Sequence, residues 1–200
     1  MNSKTITYKI EFFTNWHCGS GLTSGSDVDM LVIKDKNGFP FIPGKTLKGL
    51  LRDAATQLSL LRGESLIDNV FINTIFGYKN EKDVKDESPG FLKCHFTNGE
   101  ILKHVKEGAK GYTQYFYQDV SSTAINENGI AKEHSLRRME STIPIELFAQ
   151  IHDFPMDHDQ QKVFETKINE CFQWIKRMGQ NRHRGLGRCN FKIVEIGGVQ

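Results

Sequence analysis

Residues 15–21 read Asn-Trp-His-Cys-Gly-Ser-Gly, and residues 40–49 read Pro-Phe-Ile-Pro-Gly-Lys-Thr-Leu-Lys-Gly, with Val28-Asp29 between them. The first stretch is a glycine-rich turn, and the second is the start of a basic helix. Glycine lets main-chain amides approach a ligand closely, and the lysines that follow suit a phosphate group. Together the two stretches predict a partner that carries phosphates, either a nucleic acid or a nucleotide.

The helix that starts at Pro43-Gly44 is predicted to run to about Arg62. Its apolar stripe consists of Leu47, Leu50, Leu51, Ala54, Leu58 and Leu61. Lys45, Lys48 and Arg52 project on another side near the N-terminus, where the amides and the helix dipole also favour an anion. These cations predict a phosphate cradle, and a solvated lysine face is the equally open alternative.

Residue patterns predict the remaining elements. Patterns typical of strands occupy residues 5–12, 28–34, 90–97, 142–152 and 188–196. Patterns typical of helices occupy residues 66–77 and 158–178, the second ending at Gly179 as C-cap. The charged residues 79–89 predict a mobile loop, and residues 103–140 predict an inserted hairpin or arm.

This order of strands and helices predicts an α+β fold with helices on one face of a sheet. The specific expectation is a ferredoxin-like core of the split βαβ type with insertions. Two hundred residues can bury a sizeable core without help from disulfides. We therefore expect one domain over residues 1–200, with a core at about 1–78 and 141–200 and insertions at about 79–140.

Composition excludes several classes of protein. Apolar residues are 38% and charged residues 25% of the chain, which argues against disorder. The net charge is only +2, so local clusters of cations have to indicate any nucleic-acid partner. The four cysteines are scattered without a Cys-x-x-Cys pair, which disfavours zinc and disulfides. No signal peptide or membrane-spanning run is present, so we expect a cytoplasmic protein with no membrane partner.

A second glycine-rich stretch, residues 179–188, connects the last predicted helix to the last predicted strand. With the residues just before it, this region holds five cations and no acid: Lys176, Arg177, Arg182, Arg184 and Arg188. Like charges repel unless an anion binds, so the stretch predicts contact with RNA or another polyphosphate. The alternative is a solvent-exposed turn that needs glycine for its backbone angles.

His17 and Asp29 flank the first glycine-rich stretch. They could serve as a general acid–base group and as a carboxylate ligand for a metal. The simpler interpretation is a hydrogen-bonding histidine and an aspartate that caps a main-chain group or pairs with Lys45. Asp27 shares the strand face of Asp29, and two carboxylates together attract a divalent cation.

These motifs occur together in the CRISPR-associated RAMP superfamily, and the chain resembles the repeated backbone subunit of type III (Csm or Cmr) effector complexes. Four blocks match in order: His17-x-Gly-Ser-Gly with Val28-Asp29, the run from Pro40 to Arg52, Ile75-Phe-Gly77, and the loop Gly179 to Gly187. The Pro-Gly-x-x-Leu-Lys-Gly block is the most specific. The residues around Thr123 to Glu140 resemble the arm and returning strand of that subunit.

The resemblance implies an RRM-like core with an extended thumb and a loop-rich lid. Its partners would be CRISPR RNA, target RNA and other effector subunits, with copies stacked into a filament. It implies metal-dependent cleavage of target RNA at Asp29, with Mg²⁺ or another divalent cation and with His17 as the second catalytic residue. The RNA-binding residues it implies, together with the basic clusters above, are Gly19, Gly21, Lys45, Thr46, Lys48, Arg52, Arg137, Arg138, Arg182, Arg184 and Arg188.

Lys45-Thr46 departs from the small hydroxyl pair usual after the Pro-Gly of this family, which adds charge at the expected guide-backbone contact. Three other functions stay open. One is a structural subunit that does not cleave RNA. Another is a guide-processing endonuclease that uses His17 without a metal. The third, outside the superfamily, is a nucleotide-binding metabolic enzyme that uses both glycine loops.

Overall fold

Strand β1 (Lys4–Phe12) is an inner strand of a four-stranded antiparallel sheet in the computed structural model of the chain. The structure describes residues 4–21, 29–62, 67–77, 94–154 and 158–194. The alternation predicted for β1 is confirmed, because Ile6, Tyr8, Ile10 and Phe12 are all buried.

The sheet has the order β2-β5-β1-β6, and every pair in it is antiparallel. Strand β2 spans His95–Phe96, β5 spans Glu146–Phe154 and β6 spans Cys189–Ile193. In register, Ile10 of β1 lies opposite Leu147 of β5 and Phe191 of β6. All three side chains are buried in the same core, which fixes the face that the helices cover.

Two long helices cover that face. Helix α1 (Gly44–Arg62) begins and ends where the sequence predicted. It buries Leu47, Leu51, Ala54 and Leu58 of the predicted stripe, whereas Leu50 is half-buried and Leu61 is 69% exposed, so Leu61 was wrongly assigned to the stripe. Helix α4 (His158–Trp174) places Phe172 against Tyr8 of β1, with ring centroids 4.9 Å apart. Among the helices of the described residues, none is both long and apolar enough to cross a membrane.

The short helix α2 (Asn69–Phe76) lies inside the predicted range 66–77. Its N-terminus is capped by Asp68, whose side chain accepts a hydrogen bond of 2.6 Å from the amide of Phe71. It ends at Gly77, whose positive φ of 79° a glycine adopts without strain.

A second, two-stranded sheet is formed by the residues between β2 and β5. Helix α3 (Lys103–Gly108) and a short 3₁₀ turn lead into β3 (Tyr117–Ser122), which pairs antiparallel with β4 (Arg137–Thr142). The predicted hairpin within residues 103–140 is therefore confirmed, and the mixture of helices and antiparallel strands agrees with the predicted α+β class.

Several predicted boundaries are wrong. Residues 29–34 make isolated bridges to Gly19, Met139 and Pro40, and they form no continuous strand. The predicted strand 142–152 is two strands of different sheets, and they are separated around Pro144, which has no amide hydrogen to donate. Only His95–Phe96 of the predicted strand 90–97 is extended among its described residues, and the expected loop at 79–89 lies outside them.

The last helix also differs from the prediction. Helix α4 ends at Trp174, so Gly179 is not its C-cap. Beyond it the chain turns back on itself, and Arg177 forms an antiparallel bridge with Arg188. The amide of Met178 donates to the carbonyl oxygen of Gly187 at 2.9 Å. This tertiary pairing satisfies main-chain groups that a longer helix would have satisfied internally.

Candidate functional site

The two glycine-rich stretches lie side by side. We call residues 14–21 the first glycine loop and residues 178–188 the second glycine loop. Three hydrogen bonds join them: Gln180 N to His17 O at 3.0 Å, Gly187 N to Asn15 O at 2.7 Å, and Arg188 N to Thr14 Oγ1 at 3.0 Å. The two loops are therefore close enough for a single extended ligand to contact both.

Two glycines of the second loop are needed for this close approach. Gly179 has a φ of 86°, and a Cβ atom there would overlap the carbonyl oxygen of His17. Gly187 has a φ of 69°, and its Cβ would overlap the carbonyl oxygen of Met178. Both positions combine a left-handed backbone with contact against main-chain atoms. A larger residue at Gly179 would push the two glycine loops apart, and one at Gly187 would push apart the two arms of the second loop.

His17 is buried, with 1% of its surface exposed. Its Nδ1 lies 2.6 Å from the carbonyl oxygen of Glu140 in β4, which fixes Nδ1 as the protonated donor because a carbonyl oxygen only accepts. A general acid–base group has to reach a substrate atom, whereas this ring faces main chain. The geometry favours the simpler interpretation, in which His17 anchors the first glycine loop to the hairpin.

Glu140 connects the same hairpin to the segment that follows the first loop. Its Oε1 lies 2.6 Å from Nζ of Lys34, and its Oε2 accepts a hydrogen bond of 3.0 Å from the amide of Val32. The Glu140 side chain is only 12% exposed, whereas the Lys34 side chain is 34% exposed, so solvent reaches this ion pair from the lysine side. Residues 32–34 are thereby held beside β4 without forming a regular strand.

Asp29 is exposed and is bound to β4 through the main chain of one residue. Its amide donates to the carbonyl oxygen of Arg138, and its Oδ2 accepts from the amide of Arg138, both at 2.9 Å. Of the two simpler roles considered for Asp29, this is the capping of a main-chain group, and the capped residue is Arg138. Asp27, the second predicted carboxylate, lies outside the described residues.

A groove of about 560 Å³ separates the hairpin β3–β4 from the second glycine loop. Cationic side chains stand on both walls, with Arg137 on the hairpin and Arg182 and Arg184 on the loop. All three are exposed, and His183 lies among them. Met30 and Met139 also line this groove, and the two residues form a parallel β-bridge. We call this feature the arginine groove.

The cations of α1 do not line the arginine groove. Helix α1 begins beside β2, at the sheet edge opposite β6, and the amide of Gly44 donates to Oδ1 of Asn98 at 2.9 Å. Nζ of Lys48 lies 5.8 Å from the ring centroid of Phe96. Lys45 and Thr46 are exposed, whereas Nε of Arg52 is buried without a hydrogen-bond partner. The predicted phosphate cradle of α1 is therefore a separate feature from the arginine groove.

The remaining predicted glycines and cations have different surroundings. Gly19 forms a bridge with Val32, and Gly21, with a φ of 78°, is the last described residue of the first loop. Arg138 is exposed on β4. The guanidinium carbon of Arg188 lies 5.8 Å from the ring centroid of Phe13, so this cation is stacked over an aromatic ring.

A metal would have few protein ligands here. Within the described ranges, no group of three or more His, Cys, Asp or Glu side chains is placed to hold an ion. Asp29 nevertheless fits a cation such as Mg²⁺, which proteins commonly bind through one or two carboxylates and the phosphates of the substrate. Burial raises the pKa of the Cys18 thiol to about 11, which disfavours a reactive thiolate at neutral pH.

Sequence reasoning missed the residues that shape the groove without carrying charge. Asn181 has a left-handed backbone with a φ of 55°, and its Nδ2 lies 3.6 Å from Sδ of Met139. Nε2 of Gln180 lies 3.0 Å from Sδ of Met30. The signal in the sequence was the Gln-Asn pair that follows Gly179, since asparagine tolerates this backbone conformation better than most residues.

A family model described as the RAMP superfamily matches residues 9–190 of the chain. No curated protein sequence matches the chain. Among solved structures, a chain from a cryo-EM structure of type III-B Cmr-beta in the apo state is similar, with a TM-score of 0.65 and 12% identity over 96% of this chain and 98% of that one. A chain from type III-B Cmr-beta bound to cognate target RNA gives 0.65 and 13% over 94% and 96%.

Proposed function

The chain belongs to the RAMP superfamily, and from this premise we propose that it is a CRISPR-RNA-binding backbone subunit of a type III effector complex that also contributes to cleavage of target RNA. The observation that carries the proposal is the junction of the two glycine loops beside the arginine groove. One strand of RNA can contact both loops and the arginines together only because the loops are joined.

The order of elements supports a ferredoxin-like core as part of this proposal. Strands β1, β2, β5 and β6 with helices α1 and α4 follow the sequence β-α-β-β-α-β, and the sheet order β2-β5-β1-β6 is the one expected of that fold. The hairpin β3–β4 is inserted between β2 and β5, where we place the base of the thumb.

The arginine groove supports binding through phosphates. Arg137, Arg182 and Arg184 are exposed and face one cavity, so an RNA strand there would replace mutual repulsion with charge-assisted hydrogen bonds. The side-chain amides of Gln180 and Asn181 also line the groove, but each lies against a methionine sulfur. We therefore expect affinity that depends on salt and hardly on base identity, because pairing with a guide would supply the sequence specificity.

Asp29 is the residue that we propose for cleavage of the target. It lies beside β4 and is exposed, and within the described part of the chain Oδ1 makes no hydrogen bond while Oδ2 accepts one from the amide of Arg138. When bound there, a divalent cation would stabilise negative charge on the scissile phosphate. Asp29 would orient the adjacent 2′-hydroxyl, and the Arg138 amide would hold the carboxylate in place.

The alternatives make different predictions. A structural subunit without cleavage would bind guide and target RNA and leave the target intact in Mg²⁺. A guide-processing enzyme would cut repeat RNA as an isolated protein in EDTA, and burial of His17 argues against it. A metabolic enzyme would bind a mononucleotide tightly and single-stranded RNA poorly, which the open, extended arginine groove does not favour.

The partners and location belong to the same proposal. We expect other effector subunits, and further copies of this chain stacked along the guide, as in the backbone of the complexes that the sequence resembles. The complex would act in the cytoplasm. Fractionation of cells that express a tagged chain tests the location directly.

The test of the proposed function is co-purification of the tagged chain with the products of neighbouring genes, followed by sequencing of the RNA that accompanies them. We expect short RNAs that contain CRISPR repeat sequence. The variant Arg182→Ala/Arg184→Ala, which lacks two cations of the arginine groove, should recover less RNA than the wild type. Recovery of the partners with no enriched RNA from either the wild type or the variant would contradict the proposal.

A further inference from the structure

A second cavity lies on the other side of the turn that carries Arg182 and His183. It has a volume of about 320 Å³ and is formed between the middle of α1 and the end of α4. Residues that matter for its chemistry are Asp53 and Gln57 of α1 and the segment Trp174 to Arg177. We call it the Trp174 pocket. It is distinct from the arginine groove but shares Arg182 and His183 with it.

Trp174 gives this pocket an aromatic wall. Its indole Nε1 donates a hydrogen bond of 2.9 Å to Oε1 of Gln57, which holds the ring in one orientation. The side chain is only partly buried, whereas Trp16, the other tryptophan of the chain, is 1% exposed and stacked on Phe12. An oriented, partly exposed indole is a surface on which a planar ring can stack.

The rim of the pocket is positively charged. Lys176, Arg177 and Arg182 are exposed there, and Nη1 of Arg177 donates to the carbonyl oxygen of Arg182 at 3.1 Å. Among the described residues that line the pocket, Asp53 is the one acid. A ligand with an aromatic ring at one end and a phosphate at the other would match the indole and the cations at once.

We propose that the Trp174 pocket binds one nucleotide of the RNA strand that crosses the arginine groove, with its base stacked on Trp174 and its phosphate at Lys176 and Arg177. This rests on the proposed function, and it adds a base-stacking contact that the arginine groove lacks. The volume is at the lower end of the range of about 300–1,000 Å³ that small-ligand sites occupy, enough for one nucleotide.

The shared wall makes the two sites continuous. Arg182 faces both cavities, so a strand that leaves the groove passes this side chain before it reaches the indole. Stacking on an aromatic side chain tolerates any base, because every base has a π face. The contact should therefore strengthen binding without base preference, as a subunit that holds guide RNAs of many sequences requires.

The test uses the full chain and a decauridylate with a fluorescent label, with anisotropy reporting binding and tryptophan emission reporting contact with Trp174. We expect RNA to quench emission of the wild-type protein, because the other indole is buried. Trp174→Phe should abolish the quench and keep affinity within about twofold, since a phenyl ring also stacks. Trp174→Ala should weaken binding roughly 5- to 150-fold, the range expected for the loss of one stacked base.

A second variant guards against misfolding of Trp174→Ala. Lys176→Gln alters an exposed side chain and should lower the salt slope of binding by roughly 0.7. Lys162→Gln, on α4 about 18 Å along the helix from Trp174, is the matched control and should bind like wild type. The wild type could bind RNA without a change in tryptophan emission, with Lys176→Gln binding like wild type. That result would overturn the assignment of a nucleotide to the Trp174 pocket and leave the proposed function standing. Absence of any binding by anisotropy would overturn both.

Discussion

The main-chain amide of Gln180 donates a hydrogen bond of 3.0 Å to the carbonyl oxygen of His17. These residues are far apart in sequence, and the bond brings the loop before β6 against the loop after β1. It also couples the arginine groove to the buried His17 ring, which is anchored to Glu140 of β4. A change in any of these three segments is therefore expected to alter the groove.

The first prediction concerns Gly179. Gly179→Ala should lower the free energy of unfolding, because the new Cβ combines a left-handed backbone with overlap against the carbonyl oxygen of His17. The overlap should cost roughly 1–3 kcal/mol beyond the backbone strain. Each kcal/mol corresponds to about 2–4 °C in Tm for a chain of this size. Thermal unfolding followed by circular dichroism measures the effect.

Gly185→Ala is the matched control for Gly179→Ala. Gly185 has a comparable φ of 95°, but a Cβ there would meet no atom within 4 Å. Gly185→Ala should lower the free energy of unfolding only by the backbone strain, about 1–2 kcal/mol. Equal losses of Tm in the two variants would mean that the close approach of the loops contributes nothing to stability.

The second prediction concerns Asp29. Asp29→Asn keeps an oxygen acceptor for the Arg138 amide but removes the charge, so the loop should stay in place while cleavage falls at least about 100-fold. Cleavage of labelled target RNA by the assembled complex in Mg²⁺ measures this. Asp119→Asn, another exposed carboxylate of the hairpin, should cleave normally. Undiminished cleavage by Asp29→Asn would remove Asp29 from the reaction.

The third prediction concerns the salt dependence of RNA binding. Arg184→Ala removes one exposed cation of the arginine groove, so the slope of log K against log salt should fall by roughly 0.7. Affinity for oligonucleotides of different composition should fall equally. Filter binding or anisotropy between low and physiological salt gives the slope. A change of base preference with an unchanged slope would show that Arg184 reads bases.

The fourth prediction concerns the turn after residues 29–34. Partial burial raises the pKa of Asp35, but the hydrogen bonds from Lys106 and from the amides of Phe39 and Asn37 lower it more, so the net pKa lies below the ordinary value. A carboxylate with a lowered pKa stabilises the fold above its unfolded pKa, about 3.9, and loses that contribution as pH falls through the folded value.

Asp35→Asn should therefore be less stable than wild type at pH 7, by about 1.5–3 kcal/mol, the usual range for hydrogen bonds to charged groups. The difference should shrink as the pH falls below about 4. Urea unfolding at pH 7, 5 and 3 measures it. Glu107→Gln, whose pairing with Lys103 is highly exposed, should change little at any pH. A gap that stays constant with pH would exclude the charge of Asp35 as its source.

Local patterns predicted those elements whose own side chains determine them. Strand β1 and helix α1 follow from the period of their buried residues, and Pro43-Gly44 marks the start of α1. Composition indicated that both glycine-rich stretches suit an anion, but it did not predict that they touch. The hydrogen bonds between the two glycine loops show that they do.

Other features depend on partners that are distant in sequence, so no local pattern could predict them. The alternation over residues 142–152 is continuous, yet β4 pairs with β3 and β5 pairs with β1. Helix α4 ends before its apolar pattern does, because Met178 pairs with Gly187. The cations of α1 lie on a helix that begins beside β2, whereas the arginine groove lies between the hairpin and the second glycine loop, and no local pattern determines how these two basic clusters are placed.

The junction between the glycine loops consists largely of main-chain atoms, from Gln180 to His17 and from Gly187 to Asn15. Gly187 has to be glycine because of its backbone and its contact with Met178. Every amino acid except proline offers the same amide and carbonyl, so the side chains of Gln180 and Asn15 are interchangeable as far as these main-chain bonds are concerned. The scaffold can thus persist while its lining diverges, which accords with a shared architecture at 12–13% identity. Redesign of ligand preference should begin at such positions, where new chemistry leaves the joint intact.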